Sequence, residues 1–289
     1  MIDQDDISAL NDLYYSLRRH AIKNNAINVM SYLAKCGVDF VHIGSYEVKG
    51  DGKTSMETLN FLLAHGWDIN HREKVGLTGR YEIPFMWHCV EDYDMVAWCL
   101  EHGAALKPRR QEPLSKSVIT IAQLECPQIL EVVARSGSVA TFELLRAKGA
   151  PLGWRVLHGA VETATYGPTS KSLESEKDSA AAQKSRASHE ERMAMVRHLL
   201  DIVKIDVNAP DQPAGSNIPG DYNGTPICYV AGTPMLDTDT RELTWLLLDR
   251  GADPTPALEI ARQNQYPRFA EDVKAWQEQN KTTQKCCVQ

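Results

Sequence analysis

Six short stretches of this chain end alike, and that recurrence constrains the fold more than any other feature. They are "VMSYLAKCGVDF" with Gly37, "LNFLLAHGWDIN" with Gly66, "VAWCLEHGAALK" with Gly103, "FELLRAKGAPL" with Gly149, "VRHLLDIVKIDVN" with Lys204 in the glycine slot, and "LTWLLLDRGADP" with Gly251. In each, apolar residues recur at i, i+3 and i+4, the period of an amphipathic helix, and in all but the fifth they then meet a glycine suited to a left-handed exit. Tandem units of this kind cannot bury their apolar faces alone and must stack. Upstream of several exits lies a second, shorter helical pattern beginning near a proline: "TPICYVA" at 225–231, "PFMWHCV" at 84–90 and "CPQILEVVARSGS" at 126–138. Proline suits a first helical turn because its missing amide would have had no partner there.

A helix pair followed by an exposed turn, repeated, resembles the ankyrin repeat. "GTPICYVA" stands close to that family's T-P-L-H-x-A signature, with Cys228 in the histidine slot, and "GADP" matches its helix exit. The exits are roughly 30 to 50 residues apart, against the 33 of a regular array. The resemblance, over most of residues 7–254, implies an all-α, ankyrin-repeat-like helical solenoid with irregular insertions, as in divergent fungal members. Residues 1–279 are expected to form one repeat domain, with 280–289 as a flexible tail. After the last repeat, a short helix, a break at Pro267 and a charged capping helix with Phe269, Val273 and Trp276 are expected.

Insertions interrupt the pattern. Residues 71–83 read as a finger or hairpin, and 107–125 begin with a basic cluster. Residues 166–190 carry almost no large apolar side chain and read as disordered or marginally helical. Residues 209–223 are a Pro/Gly-rich loop.

Composition narrows the function classes. A net charge of −7 does not suggest a generic nucleic-acid binder, so no DNA partner is expected and any RNA contact needs a local basic patch. The first residues lack a secretory pattern and no apolar run reaches bilayer length, so a cytoplasmic protein is expected. Seven cysteines without metal-type pairing fit free thiols in a reducing compartment, with no metal or cofactor expected. Phosphate-loop, dinucleotide, nucleophile-elbow and zinc-protease motifs are missing. His88, His158 and His198 read as satisfied, partly buried histidines, and Cys89, Cys99 and Cys228 as core thiols.

Two acidic clusters remain, each directly before a helix. In "EDYDM", Asp92 and Asp94 suit capping and Glu91 suits a solvent face; in "DTDTRE", Asp239 and Glu242 have capping-box spacing. The second cluster also resembles the D-D-x-x-E motif of arginine-containing cyclodipeptide synthases, which join arginine from arginyl-tRNA to an amino acid from a second aminoacyl-tRNA. Asp239 and Glu242 carry over, while Thr238 stands where the first Asp belongs and Asp237 is one residue early. The resemblance implies Asp239 and Glu242 as catalytic, with Asp237, Glu91, Asp92 and Asp94 as candidate substrate-binding residues. A carboxylate there would pair with a guanidinium or move a proton from the attacking amine. Lys107, Arg109 and Arg110 are the candidate RNA-binding patch, with Lys171, Lys177, Lys184 and Arg186 as a second strip. The alternative is a non-catalytic repeat module that binds a protein partner. The ending "KCCVQ" has C-a-a-X form, making Cys286 a lipidation candidate, the one route to a membrane.

Overall fold

The helix exits decide how the chain turns. In the computed structural model, which describes residues 4–49, 54–75, 80–108, 126–166, 180–212, 224–232 and 238–286, Gly37, Gly66, Gly103, Gly149 and Gly251 all take positive φ, between 83° and 88°. Lys204 takes the same slot at φ 63°. After each glycine the next amide donates back across the turn: Val38 to Leu33, Trp67 to Leu62, Ala104 to Cys99, Ala150 to Leu145 and Ala252 to Leu247, at 2.9–3.1 Å. These bonds satisfy carbonyls that a helix end would otherwise strand.

Among the described residues, all regular structure is helical apart from one small hairpin, Lys74–Val75 paired antiparallel with Arg80–Tyr81. It lies within the finger expected at 71–83. Contacts group the chain into two compact units, Met1–Cys126 and Pro127–Gln289.

The first unit holds α1 (Gln4–Lys23), α2 (Ile27–Lys35), α3 (Ser45–Lys49), α4 (Met56–Ala64), a 3₁₀ turn at Phe85–His88, and α5 (Tyr93–Glu101). Helix α1 packs on α2 and α3, α3 on the 3₁₀ turn, α2 on α4, and the turn on α5. Ile22, Met30, Leu33, Leu59, Leu62, Trp87 and Val96 fill the core between them. Arg18 of α1 grips Glu47 of α3 through two bonds of 3.0 and 3.1 Å, both side chains buried. Serines start two of the helices: Ser55 accepts from the Thr58 amide before α4, and Ser138 from the Thr141 amide in the second unit.

The second unit holds α6 (Ile129–Ser136), α7 (Val139–Ala147), α8 (Val156–Ala164), α9 (Ala180–Asp201), α10 (Pro226–Gly232), α11 (Arg241–Asp249), α12 (Thr255–Gln263) and α13 (Pro267–Cys286). Here α6, α8, α10 and α12 contact one another in chain order, while α7, α9, α11 and α13 each pack on the helix of their own pair. Arg197 with Glu242, and Arg250 with Asp201, link α9 to α11 and its exit. Phe269 and Val273 are buried on α13, and Trp276 donates to Asp249 at 2.7 Å, the inward face expected of the closing helix.

Two boundaries depart from expectation. Residues 180–190, read by composition as disordered or marginally helical, form the first half of α9, the helical alternative. Its Ala, Gln, Lys, Arg and Glu content is strongly helix-forming, and the buried Met193, Val196 and Leu199 anchor the other half. Helix α13 likewise continues to Cys286, past the residue 279 boundary drawn for the tail.

A second device recurs between turns. Asp68 accepts from the Asn70 amide at 3.0 Å, and Asn70 donates to the Gly103 carbonyl at 2.9 Å while accepting from the Ala105 amide at 2.7 Å. Asp206 and Asn208 repeat the arrangement: Asn208 donates to Gly251 and accepts from Asp253, both at 2.9 Å. Each asparagine thus clasps the backbone of the next helix exit.

Candidate functional site

At the start of α11 the expected capping box does not form. Thr240 occupies the cap position and makes no side-chain cap bond. Asp239 accepts from the Arg241 amide at 3.1 Å, a local Asx turn, and pairs with Arg268 of α13 at 3.1 Å. Glu242 turns outward to Arg197 of α9 instead of back to the cap. The reason is register: with Thr240 at the cap, Asp239 stands one residue before it and Glu242 at the second helical position, so neither has its capping-box place, and guanidinium groups from two other helices pair with them instead. Both remain about half exposed, at 53% and 56% of the side chain. Beneath them Arg241 donates to the buried Asp272 at 2.7 Å, Trp245 donates to the Asp272 carbonyl at 3.0 Å, and Thr240 bonds the Tyr266 hydroxyl at 3.2 Å. Asp237 lies outside the described residues.

The other acidic cluster belongs to the first unit. Asp92 caps α5 as expected, accepting from the Met95 amide at 3.1 Å, while Asp94 in the first turn and Glu91 are exposed. Glu91 and Asp92 also border a cavity of about 170 Å³ lined with Lys49, Thr54, Phe85, His88, Cys89 and Met95. Asp94 is not among its lining residues. Local sequence could not reveal this cavity, because it needs the end of α3 brought against the 3₁₀ turn.

His88 overturns the expectation of a satisfied histidine. Its Nε2 is buried without a hydrogen-bond partner, and its ring lies against Tyr46 at 4.8 Å. Burial, and then the nearby Lys49 charge, hold its pKa down to about 4, so the imidazole is neutral near pH 7. Cys89 is half-buried rather than a core thiol and donates to the Phe85 carbonyl at 3.5 Å. Its hydrogen bond to Cys99, with burial, pushes the Cys99 thiol far above the ordinary range.

The second unit buries a polar cluster of its own. The Tyr229 hydroxyl donates to Asp211 at 2.8 Å and accepts from Arg155 at 3.1 Å, and the Gly224 amide donates to Asp211 at 3.0 Å. Burial and the Asp211 carboxylate push Tyr229 up to about 12. His158, edge-on to Tyr229, bonds the Ala209 carbonyl through Nε2 at 3.0 Å, but its buried Nδ1 has no partner. His198 is satisfied as expected, at 2.7 Å from Glu143. Cys228 is buried beside Thr225, in keeping with a core thiol.

No protein-family model matches the chain, and no curated protein matches it. Residue roles therefore rest on geometry alone.

Of the RNA-binding candidates, Lys107 is exposed, while Arg109 and Arg110 lie outside the described residues. Lys184 and Arg186 fall on α9, and Lys171 and Lys177 lie outside. Cys286 is the final residue of α13, its side chain outside the description. Among the described residues, no helix is long and apolar enough to cross a membrane.

Proposed function

We propose that this chain is a divergent helix-pair repeat protein of the ankyrin kind, working in the cytoplasm as a recognition module for a protein partner. The observation that carries the reading is the turn following the Gly149 exit, where Leu152 and Trp154 stand 49% and 58% exposed. Large aromatic anchors on turns held by a rigid scaffold are what protein interfaces use. The left-handed exits, the two Asp-x-Asn clasps and the order of helix contacts within each unit support the repeat assignment. Cross-linking in cells that produce the chain, comparing wild type with Leu152→Ser/Trp154→Ala, tests it. Loss of a specific cross-linked partner at unchanged helicity is expected; identical partner sets would remove the reading.

A second reading is favoured by one observation: the half-exposed Asp239 and Glu242 each already hold a guanidinium. An incoming arginyl group bears the same chemistry, as an aminoacyl-tRNA-dependent synthase of arginine-containing cyclic dipeptides requires. Expression in a bacterial host with mass spectrometry of the products decides. An arginine-containing cyclic dipeptide lost in Asp239→Asn and Glu242→Gln, at unchanged melting temperature, supports this reading. No product at good soluble expression leaves the recognition module.

A further inference from the structure

Helix α1 is longer than the support beneath it. Arg18, Ala21 and Ile22, in its last two turns, are buried, and Arg18 is the residue that grips α3. Of the described side chains before them, Leu10 and residues 12–17, not one is buried. Leu10, Leu13 and Leu17 are 47%, 53% and 40% exposed. Their spacing of three and then four places them on one face, the seam of a coiled coil. A helix of this length draws its stability from packing more than from propensity, and a bare leucine seam is the surface through which it packs.

Charge indicates what covers the seam. From Gln4 to Leu17 the helix carries Asp5, Asp6 and Asp12 and no basic residue. From Arg18 to Lys23 it carries Arg18, Arg19, His20 and Lys23 and no acidic one. Arg18 is held by Glu47, while Arg19, His20 and Lys23 are exposed. One helix thus supplies both halves of a complementary pair. Two parallel copies would set acid against acid, whereas in antiparallel copies the acidic start of each runs past the basic end of the other. The same acidic start sets the helix against an anionic lipid surface, which basic amphipathic helices bind.

We propose that the first half of α1 pairs antiparallel with the same half of α1 from a second copy of this chain. A two-fold axis passing between residues 13 and 14 brings Leu10 of each copy beside Leu17 of the other, with Leu13 and Tyr14 meeting at the centre. The patch is its own complement, so the assembly closes at two chains. The surface lies within one unit and does not depend on either reading of the whole chain.

Sedimentation equilibrium of the full-length protein tests it. The apparent mass should rise from that of one chain, 32.3 kDa, toward twice that, with a midpoint of about 10–100 µM for so small a seam. Leu13→Asp/Leu17→Asp, both at exposed positions, should hold the mass at one chain throughout while keeping the helical signal. Two charge-reversed variants, Asp5→Lys/Asp6→Lys and Arg19→Glu/His20→Glu, should each associate about ten-fold more weakly alone. Mixed in equal amounts they should recover the wild-type association. A single-chain mass up to about 500 µM overturns the proposal. So does a dimer that Leu13→Asp/Leu17→Asp leaves intact, which would place the contact elsewhere. Either charge variant associating alone as tightly as wild type, or a mixture no tighter than its components, overturns the antiparallel pairing and with it the proposal.

Discussion

His88 sits where protonation is penalised by burial and again by the Lys49 charge. Between its ordinary pKa of 6.5 and its folded value of about 4, the unfolded chain binds a proton that the folded chain does not. Its contribution to stability is therefore complete above 6.5 and is lost as pH falls toward 4. Melting temperature should decline across that window, and His88→Gln should flatten the decline. Some slope will remain in the variant, because burial also lowers His158. Asp39, Asp201 and Glu143, lowered chiefly by hydrogen bonds to their charged forms, act in a more acidic window. At the start of α11 the residue scale gives a different expectation. Glu242 and Arg197 form a surface pair, so Glu242→Gln should cost less than about 1 kcal/mol in a denaturant titration. A larger loss would mean the carboxylate holds more than this pair. The capping role of Asp92 was legible because it is local, three residues from its donor. The partners of Asp239 and Glu242 were not, because Arg268 and Arg197 come from other helices and no spacing rule joins them.

The exits are the elements' shared grammar, and they were readable because left-handed backbone selects glycine chemically. Lys204 shows the cost of departing from it. A side chain at positive φ is strained by roughly 1–2 kcal/mol, so Lys204→Gly should raise stability by about 0.5–1 kcal/mol. Gly103→Ala should do the reverse by about 1 kcal/mol, and since an added Cβ there meets nothing within 4 Å, the loss is backbone strain alone. A neutral thermal shift for both would contradict the left-handed backbone at these two exits. The clasps can be tested the same way. Asn208→Ala removes one bond to Gly251 and one from Asp253, for an expected loss of about 1–2 kcal/mol by thermal or chemical melting. The repeated Asp-x-Asn at 68–70 and 206–208 was a sequence signal for them that hydrophobic periodicity overlooks. Composition leaves the early start of α9 open between disorder and marginal helix for another reason: low apolar content argues against burial, but Ala-rich sequence propagates a helix once a buried turn anchors it.

At the scale of the molecule, each unit carries its own buried core, from Ile22 to Val96 in the first and from Ile129 to Val273 in the second. The fragment 127–289 expressed alone should keep its helical signal and a cooperative melt, and a fragment that is unfolded would tie its stability to residues 1–126. Cavity and polar clusters were illegible in advance because they assemble from residues far apart in the chain, as Lys49 with Glu91 or Arg155 with Tyr229. The asparagine clasps carry one more implication. Asn70 and Asn208 each hydrogen-bond a carbonyl and an amide of the exit they hold, groups every residue type but proline supplies. A join that reads main chain and no side chain leaves its neighbour's sequence free to drift over generations. A helix pair can therefore be changed residue by residue, or lengthened between joins, without loosening the hold that one exit has on the next.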